Sequence, residues 1–491
     1  MKPKWWICVL ALVMAALASS ALAFRPDGQV INYADFRYVN YIATSVAKAY
    51  FATTNGIIVY NKLENRWEQP LTGFDGMADN DIKRIWVDQF DQQLYAETIT
   101  GRFNFDFTFH RWLEVNEIPN IATEDKHVSP PPSMFPPFGY NYGSRGILID
   151  PEARSFAMSD VVDDGNGNLW IGTWGNGAGR ARVGANVIEL LPYGLLQGPA
   201  YALQFDMDSN LVIGGPILSS PRTGISLFDE SNNAFSYIET GISPDLPTVD
   251  VNCLESDTTL LYVGTSQGIY LIERRNHEVT NRLDRRHGFS DENIISLKLE
   301  GDSLFAGTTS GLLLVSHLGD SVAYIGQRQF FNQTIFGLDI VADHLWVASS
   351  NGAYRVSLAD GRLQQYKDPD AVLFSRVLNV THYGKYLWLA SDAGLVQINL
   401  ETGATSPYLV HTSRLDSRPL AVNEKIAAVA SDGGVTIIFY DRDNPIIREF
   451  TMSDGLVSSY VYSLAFDGDY LWIGTDRGLT KFWWNNPHRI D

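Results

Sequence analysis

The chain has 491 residues, of which 45% are hydrophobic, 12% aromatic and 19% charged, and its formal net charge is −19. Aromatic content this high with so little charge argues against a disordered chain or a set of long solvated helices and favours packed strands. The acid excess disfavours nucleic acid and anionic membrane surfaces as partners, and the length suits a repeat array whose units need only their neighbours.

In chain order the first element is a secretory signal. Lys2 and Lys4 precede an apolar run from Trp5 to Ala18, and Ala21 to Ala23 offers a small-x-small cleavage pattern, so residues 1–23 are expected to be removed and the protein to be secreted or periplasmic, the competing reading being an uncleaved anchor. Cys8 falls inside that segment, which leaves Cys253 as the one cysteine of the mature chain, 24–491. A single thiol closes no internal disulfide, so stability has to come from packing, and Cys253, in a predicted inner strand, reads as a small buried hydrophobe.

A phrase near the end, Tyr470-Leu-Trp-Ile-Gly-Thr-Asp-Arg-Gly-Leu479, then recurs along the whole chain. The small residue after its apolar triplet falls at Ala52, Glu97, Gly172, Gly214, Gly264, Gly307, Ala348, Ala390, Ala430 and Gly474, with steps of 45, 75, 42, 50, 43, 41, 42, 40 and 44 residues. That period matches a four-stranded propeller blade. Each copy reads as an inner apolar strand, a polar turn, the Trp- or Tyr-containing strand, a tight turn ending in Gly, a third strand and a looser outer strand. The Gly, as in Gly478, suits a hairpin position of positive φ, and Asp- and Asn-rich stretches such as Asp163 to Asn168 supply the other turn. Those acidic turns lack the ligand spacing of a helix-flanked calcium loop. Trp170, Trp346, Trp388 and Trp472 are expected to fill the space between adjacent sheets, each beside a Gly or Ala.

The last unit offers three strands, and the run Val30 to Tyr33 precedes the first inner strand. An N-terminal strand completing the last blade would remove both open edges. The expected fold is therefore all-β, a single β-propeller of about ten four-stranded blades closed in this way; eight or nine regular blades with one degenerate copy, or two smaller rings, are the alternatives.

The 75-residue step marks an insertion at about 116–156, between the second and third blades, on the face of the outer-to-inner crossovers that frames a propeller's channel mouth. Prolines at 130–132 and 136–137 stiffen it, and it carries aromatics and Arg, the residue types enriched in contact hot spots. Phe138, Tyr140, Tyr142 and Arg145, with Trp174 in an expanded turn on the same face, are the candidate contact residues for a protein or glycan ligand; the competing reading is a lid packed on its own propeller. The nine histidines show no metal-type pairing, and neither a glycine-flanked Ser elbow nor a phosphate-cradling loop occurs, so no cofactor, metal or catalytic residue is assigned. His382, Asp339 and Asn379 lie in or beside inner strands and would line a channel.

The phrases above, with the junctions Asp75 to Met77, His287 to Ile294 and Asp454 to Ser459, resemble the two-component-regulator propeller repeat. That resemblance implies a bacterial sensor ectodomain or a stand-alone secreted propeller. The chain shows neither a later transmembrane stretch nor a kinase module, so the expected role is non-enzymatic binding, as a sensor or envelope scaffold; the alternative is a propeller lyase or hydrolase acting on a polysaccharide or peptide.

Overall fold

The computed structural model describes residues 30–486 except 74–75, 78, 120–124, 183, 219–221, 243–245, 317–320, 368–375 and 412–418. The expected signal at 1–23 lies outside the described residues. All ten repeats form antiparallel sheets with strands in sequential order. Their inner strands are Val39–Thr44, Arg84–Val87, Ser155–Asp163, Ala202–Phe205, Val251–Ser256, Ile294–Glu300, Ile335–Val341, Val377–Tyr383, Leu420–Val422 and Val461–Asp467, which define blades 1 to 10. The first strand, β1 (Val30–Tyr33), pairs with Leu479–Phe482 and supplies the fourth strand of blade 10, as expected from the orphan run.

The Trp strand is buried along most of its length in nine blades, because a sheet lies against each of its faces. Trp170, Trp388 and Trp472 have no solvent exposure. The turn glycines Gly56, Gly268, Gly352, Gly434 and Gly478 take φ from +102° to +151°. A Cβ on Gly268 would lie 2.3 Å from the carbonyl of Leu283 in its fourth strand, and one on Gly478 would lie 2.4 Å from the carbonyl of Tyr33 in β1. Blade 10 thus treats β1 as its own outer strand.

The ten blades do not close as one ring. From blade 4 each inner strand packs on the next, and blade 10 packs back on blade 4, so seven blades form a closed ring. At the seam the Ala200 N–H donates to the Thr475 carbonyl (2.9 Å), the Ser463 hydroxyl donates to the Ala200 carbonyl (2.8 Å), and the Tyr201 and Tyr462 rings lie 4.3 Å apart. Blades 1 to 3 form a separate row in the spatial order 3, 1, 2, with the inner strand of blade 1 between the other two. The reason is visible in the two end blades. In blade 2 the second strand, Leu94–Glu97, is buried on alternate residues only, and its other face carries Arg84, Glu97 and Arg102, suited to water rather than to a neighbouring sheet. In blade 3 the insertion occupies the face turned away from blade 1.

Row and ring share one core. It joins Phe51, Tyr60, Trp67 and Trp170 of the row to Tyr33, Phe228, Phe235 and Trp472 of the ring, with Tyr193 from the connecting segment between them. The chain crosses between the arrays twice, and the two crossings are tied by the Leu195 N–H donating to the Ala34 carbonyl (2.8 Å). In blades 1 to 9 the turns after the first and third strands, and in blade 10 the turn after the first, open at one end, the turn end, and the remaining connections at the other, the crossover end. The arrays point the same way: Arg154, before the inner strand of blade 3, bridges to Glu239 at the end of the outer strand of blade 4 (2.7 Å), while nearer the turn end Asn233 Nδ2 donates to the Trp67 carbonyl (3.0 Å).

Candidate functional site

The insertion is built on strand pairing. Lys126–His127 and Ile147–Ile149 both pair with the nine-residue inner strand of blade 3, and Asn141–Tyr142 adds a further strand outside Ile147–Ile149. At the turn end the Phe135 N–H donates to the Asn186 carbonyl (2.8 Å) and the Ile188 N–H to the Phe135 carbonyl (3.0 Å), so the segment crosses the whole blade face. Val128, Met134, Tyr140 and Tyr142 pack on a core of Leu148, Phe156, Met158, Val161, Leu169 and Ile171. In the second strand of blade 3, Trp170 and Gly172 face blade 1 while Leu169 and Ile171 face the insertion, which follows from the two-residue period of a strand. The insertion therefore belongs to the three-blade row and not to the mouth of a ten-blade channel, and much of it serves the packing role of a lid.

The five candidate contact residues divide accordingly. Tyr142 donates its hydroxyl to the Met134 carbonyl (2.7 Å), and burial raises the pKa of its phenol. Tyr140 is half-buried, and Asn176 Nδ2 donates to its hydroxyl at 3.4 Å, which joins the insertion to the turn that carries Trp174. Phe138 is 99% exposed and Trp174 47% exposed, the latter edge-on to Tyr38. Arg145 is exposed, with a left-handed backbone (φ +56°). Phe138, Arg145 and Trp174 thus point outward on a strand-paired platform, while the two tyrosines hold it down.

At the turn end of the same blade the acidic turn is saturated with protein donors. Asp164 accepts from the backbone N–H of Asn166 and Asn168, from Trp170 Nε1 (3.0 Å) and from Lys62 Nζ (2.9 Å). Burial alone would raise its pKa, but the Trp170 and Lys62 contacts outweigh it and hold the carboxyl at about 2. The group works as a clamp between blades 3 and 1.

A second polar constellation lies on the ring. Cys253, Ser296 and Gly337 sit opposite the repeat landmark in blades 5, 6 and 7, so Glu255, Lys298 and Asp339, two residues on, occupy the same place in successive blades. Asp339 Oδ1 lies 3.0 Å from Lys298 Nζ, and Asp339 Oδ2 lies 2.5 Å from His382 Nδ1 of blade 8. Burial pushes the Asp339 carboxyl up, yet His382 and Lys298 pull it further down, so it stays below the usual range. Burial pushes Lys298 down while Asp339 and Glu255 raise it by more. The hydrogen bond to Asp339 raises His382 against the opposing effect of burial, and burial keeps the Glu255 carboxyl above its ordinary value. The alternating charges link four blades across their inner strands.

Asp339 and His382 were legible as polar residues of the inner strands; Glu255 and Lys298 carry a similar signal, because alignment of the repeats on the Cys253, Ser296 and Gly337 positions puts them in one column with Asp339. Asn379 Oδ1 accepts from the Val380 N–H (2.8 Å). Cys253 is partly buried against the blade 5–6 core, and burial raises its thiol pKa.

The raised pKa of His382 sets a pH dependence. Its attraction to Asp339 is fully present below the ordinary histidine value of 6.5 and is lost as pH rises through the higher folded value. The melting temperature of the parent is expected to exceed that of His382→Gln by most near about pH 6 and by least in mild alkali. Melts of both proteins across that range check this; a constant gap would show that the imidazole does not titrate against Asp339.

The protein is thus a β-propeller of two arrays. No protein-family model and no curated protein sequence matches the chain. Among solved structures it is similar to PorZ of Porphyromonas gingivalis, an essential bacterial surface component of the type-IX secretion system, at 12% identity over 93% of this chain and 87% of that one, with a TM-score of 0.60. It is also similar to the extracellular domain of BT4673 from B. thetaiotaomicron, at 14% identity over 92% and 71% of the two chains (TM-score 0.46). A third is the extracellular domain of BT3049 from the same organism, described as a hybrid two-component system, at 15% identity over 90% and 60% (TM-score 0.47). The likeness to PorZ shows a shared fold.

Proposed function

We propose that this chain is a non-enzymatic, extracytoplasmic interaction propeller, secreted or periplasmic, acting as a scaffold component of a bacterial envelope assembly. The carrying observation is the division around the insertion: Tyr140 and Tyr142 are spent on packing, while Phe138, Arg145 and Trp174 stay open to solvent at the margin of its strand-paired core. Exposed aromatic and Arg side chains on a rigid support are what a partner surface needs, since little ordering remains to be done on binding. The fold shared with PorZ, a surface component of a secretion system, supports the envelope setting. At the ring, Asp339 is occupied by Lys298 and His382, which suits a clamp between blades better than an acid or base awaiting substrate. Among the described residues no helix is long and apolar enough to cross a membrane.

The test compares the parent with Phe138→Ala/Arg145→Ala/Trp174→Ala as immobilised baits in solubilised native envelope, alongside incubation of the parent with a panel of polymeric glycans and peptides. The expected result is a saturable partner retained by the parent and lost, by about tenfold or more, with the triple variant, whose melting temperature stays unchanged. Equal retention by both baits would remove the site, and turnover of any polymer would replace the binding role with an enzymatic one.

A further inference from the structure

The turn end of the three-blade row differs from that of the ring. In the row, the turns carry Val46, Leu63, Phe90, Phe107 and Phe109 outward, and Phe135 of the insertion joins them beside the last turn of blade 3. Leu63, Phe90 and Phe135 are 79%, 88% and 69% exposed. The corresponding turns of the seven ring blades expose only Met207 among large apolar side chains of the described residues. Row and ring are built from one repeat, so the ring is an internal control: the hairpins fold with polar tips, and the apolar ones serve no turn geometry.

The tips are held in place rather than collapsed. Asp88 accepts from the Phe90 N–H (2.8 Å) and Asp106 from the N–H groups of Thr108 and Phe109 (2.9 and 3.1 Å), which locks two turns with their phenyl groups projecting. Adjacent turns are linked: Gln89 Nε2 donates to the Thr44 carbonyl (2.9 Å) and Lys62 Nζ to the Ser45 carbonyl (2.8 Å). The apolar points therefore form one continuous end of the row.

We propose that this end rests on a lipid surface with zwitterionic headgroups, its apolar tips reaching the boundary between headgroups and acyl chains. The tips are Phe, Leu and Val, without the Tyr and Trp that lead among contact hot spots. They are separate points on turns, which suits a deformable apolar medium better than a preformed pocket, and shallow entry leaves the turn backbone hydrated. At this end Lys62 pairs with Asp164 and Arg66 with Glu64, and Lys48, Arg111 and Arg182 nearly offset Asp88, Asp91, Asp106 and Asp163, so the end is near charge balance on a chain of net charge −19, which favours neutral over anionic headgroups.

The experiment uses the chain from Phe24, which keeps every described residue, in flotation with phosphatidylcholine vesicles and with vesicles enriched in phosphatidylglycerol. The expected result is flotation with phosphatidylcholine, weaker flotation with the anionic vesicles, and a loss of about tenfold or more in Leu63→Asp/Phe90→Asp/Phe109→Asp. A Met207→Asp/Phe331→Asp control at exposed ring positions is expected to float like the parent, and all three proteins to melt alike. Failure of the parent to float overturns the proposal, as does undiminished flotation of the triple variant. If the parent sediments as a dimer that the triple variant abolishes while neither floats, the end binds a second copy instead.

Discussion

A chain that begins at Ala34, and so lacks β1, is expected to yield no cooperatively folded ring. β1 is the fourth strand of blade 10, and its loss would leave the edge Leu479–Phe482 unpaired in the sheet that closes against blade 4. It would also strip the core shared by row and ring, where the Tyr33 ring lies 5.0 Å from Phe228, 5.8 Å from Phe235 and 6.1 Å from Trp472. The buried Asn32 adds polar pairing, donating to the Gly455 carbonyl (3.0 Å) and accepting from the Thr480 hydroxyl (2.7 Å). Those partners would be orphaned in a partly buried seam, at about 1–3 kcal/mol each. Yield of monomer and near-ultraviolet dichroism on heating are the readouts. A truncated chain melting within about 2 °C of the parent would mean that the last blade closes without its N-terminal strand.

The units were legible in the sequence because their determinants are local. A Trp strand between two turns, with Gly478-like positions at positive φ, states its own geometry in about ten residues, and the completing strand at Val30 to Tyr33 was readable from the missing fourth strand. Ring membership was not read, since it depends on which sheet faces are paired. A signal was present nonetheless: Tyr95 and Glu97 alternate with Leu94 and Ala96 where Leu-Tyr-Val-Gly of blade 5 is apolar throughout, so blade 2 is one-sided. The same ambiguity governs the insertion. An aromatic such as Tyr142 suits a core and a contact surface equally, and only the strand register of Asn141–Tyr142 on Leu148–Ile149 separates it from Phe138, which has no such pairing.

Tyr193 is where the two arrays are most directly joined, and Tyr193→Ala is expected to cost about 3–5 kcal/mol. The side chain is buried in the segment that leads from the row into the ring; its ring stacks on Trp67 of blade 1 at 4.9 Å and meets Phe235 of blade 4 edge-on at 5.4 Å. Its hydroxyl donates to the Glu68 carbonyl (3.0 Å) and also lies 3.1 Å from Asn233 Oδ1, so each end of the side chain touches both arrays. With one common core the parent is expected to melt in a single transition. Tyr193→Ala empties the middle of that core while leaving the ring seam at Ala200 and the blade 1–3 clamp at Asp164 intact, so the row, with only three blades and one polar free face, is expected to unfold first. Tyr193→Phe keeps the stack and removes only the hydroxyl, for an expected loss of about 1–2 kcal/mol with one transition retained. Calorimetry on the three proteins distinguishes the cases: a lower single transition in Tyr193→Ala would mean that the Arg154–Glu239 and Asn233–Trp67 contacts couple row to ring without the aromatic stack.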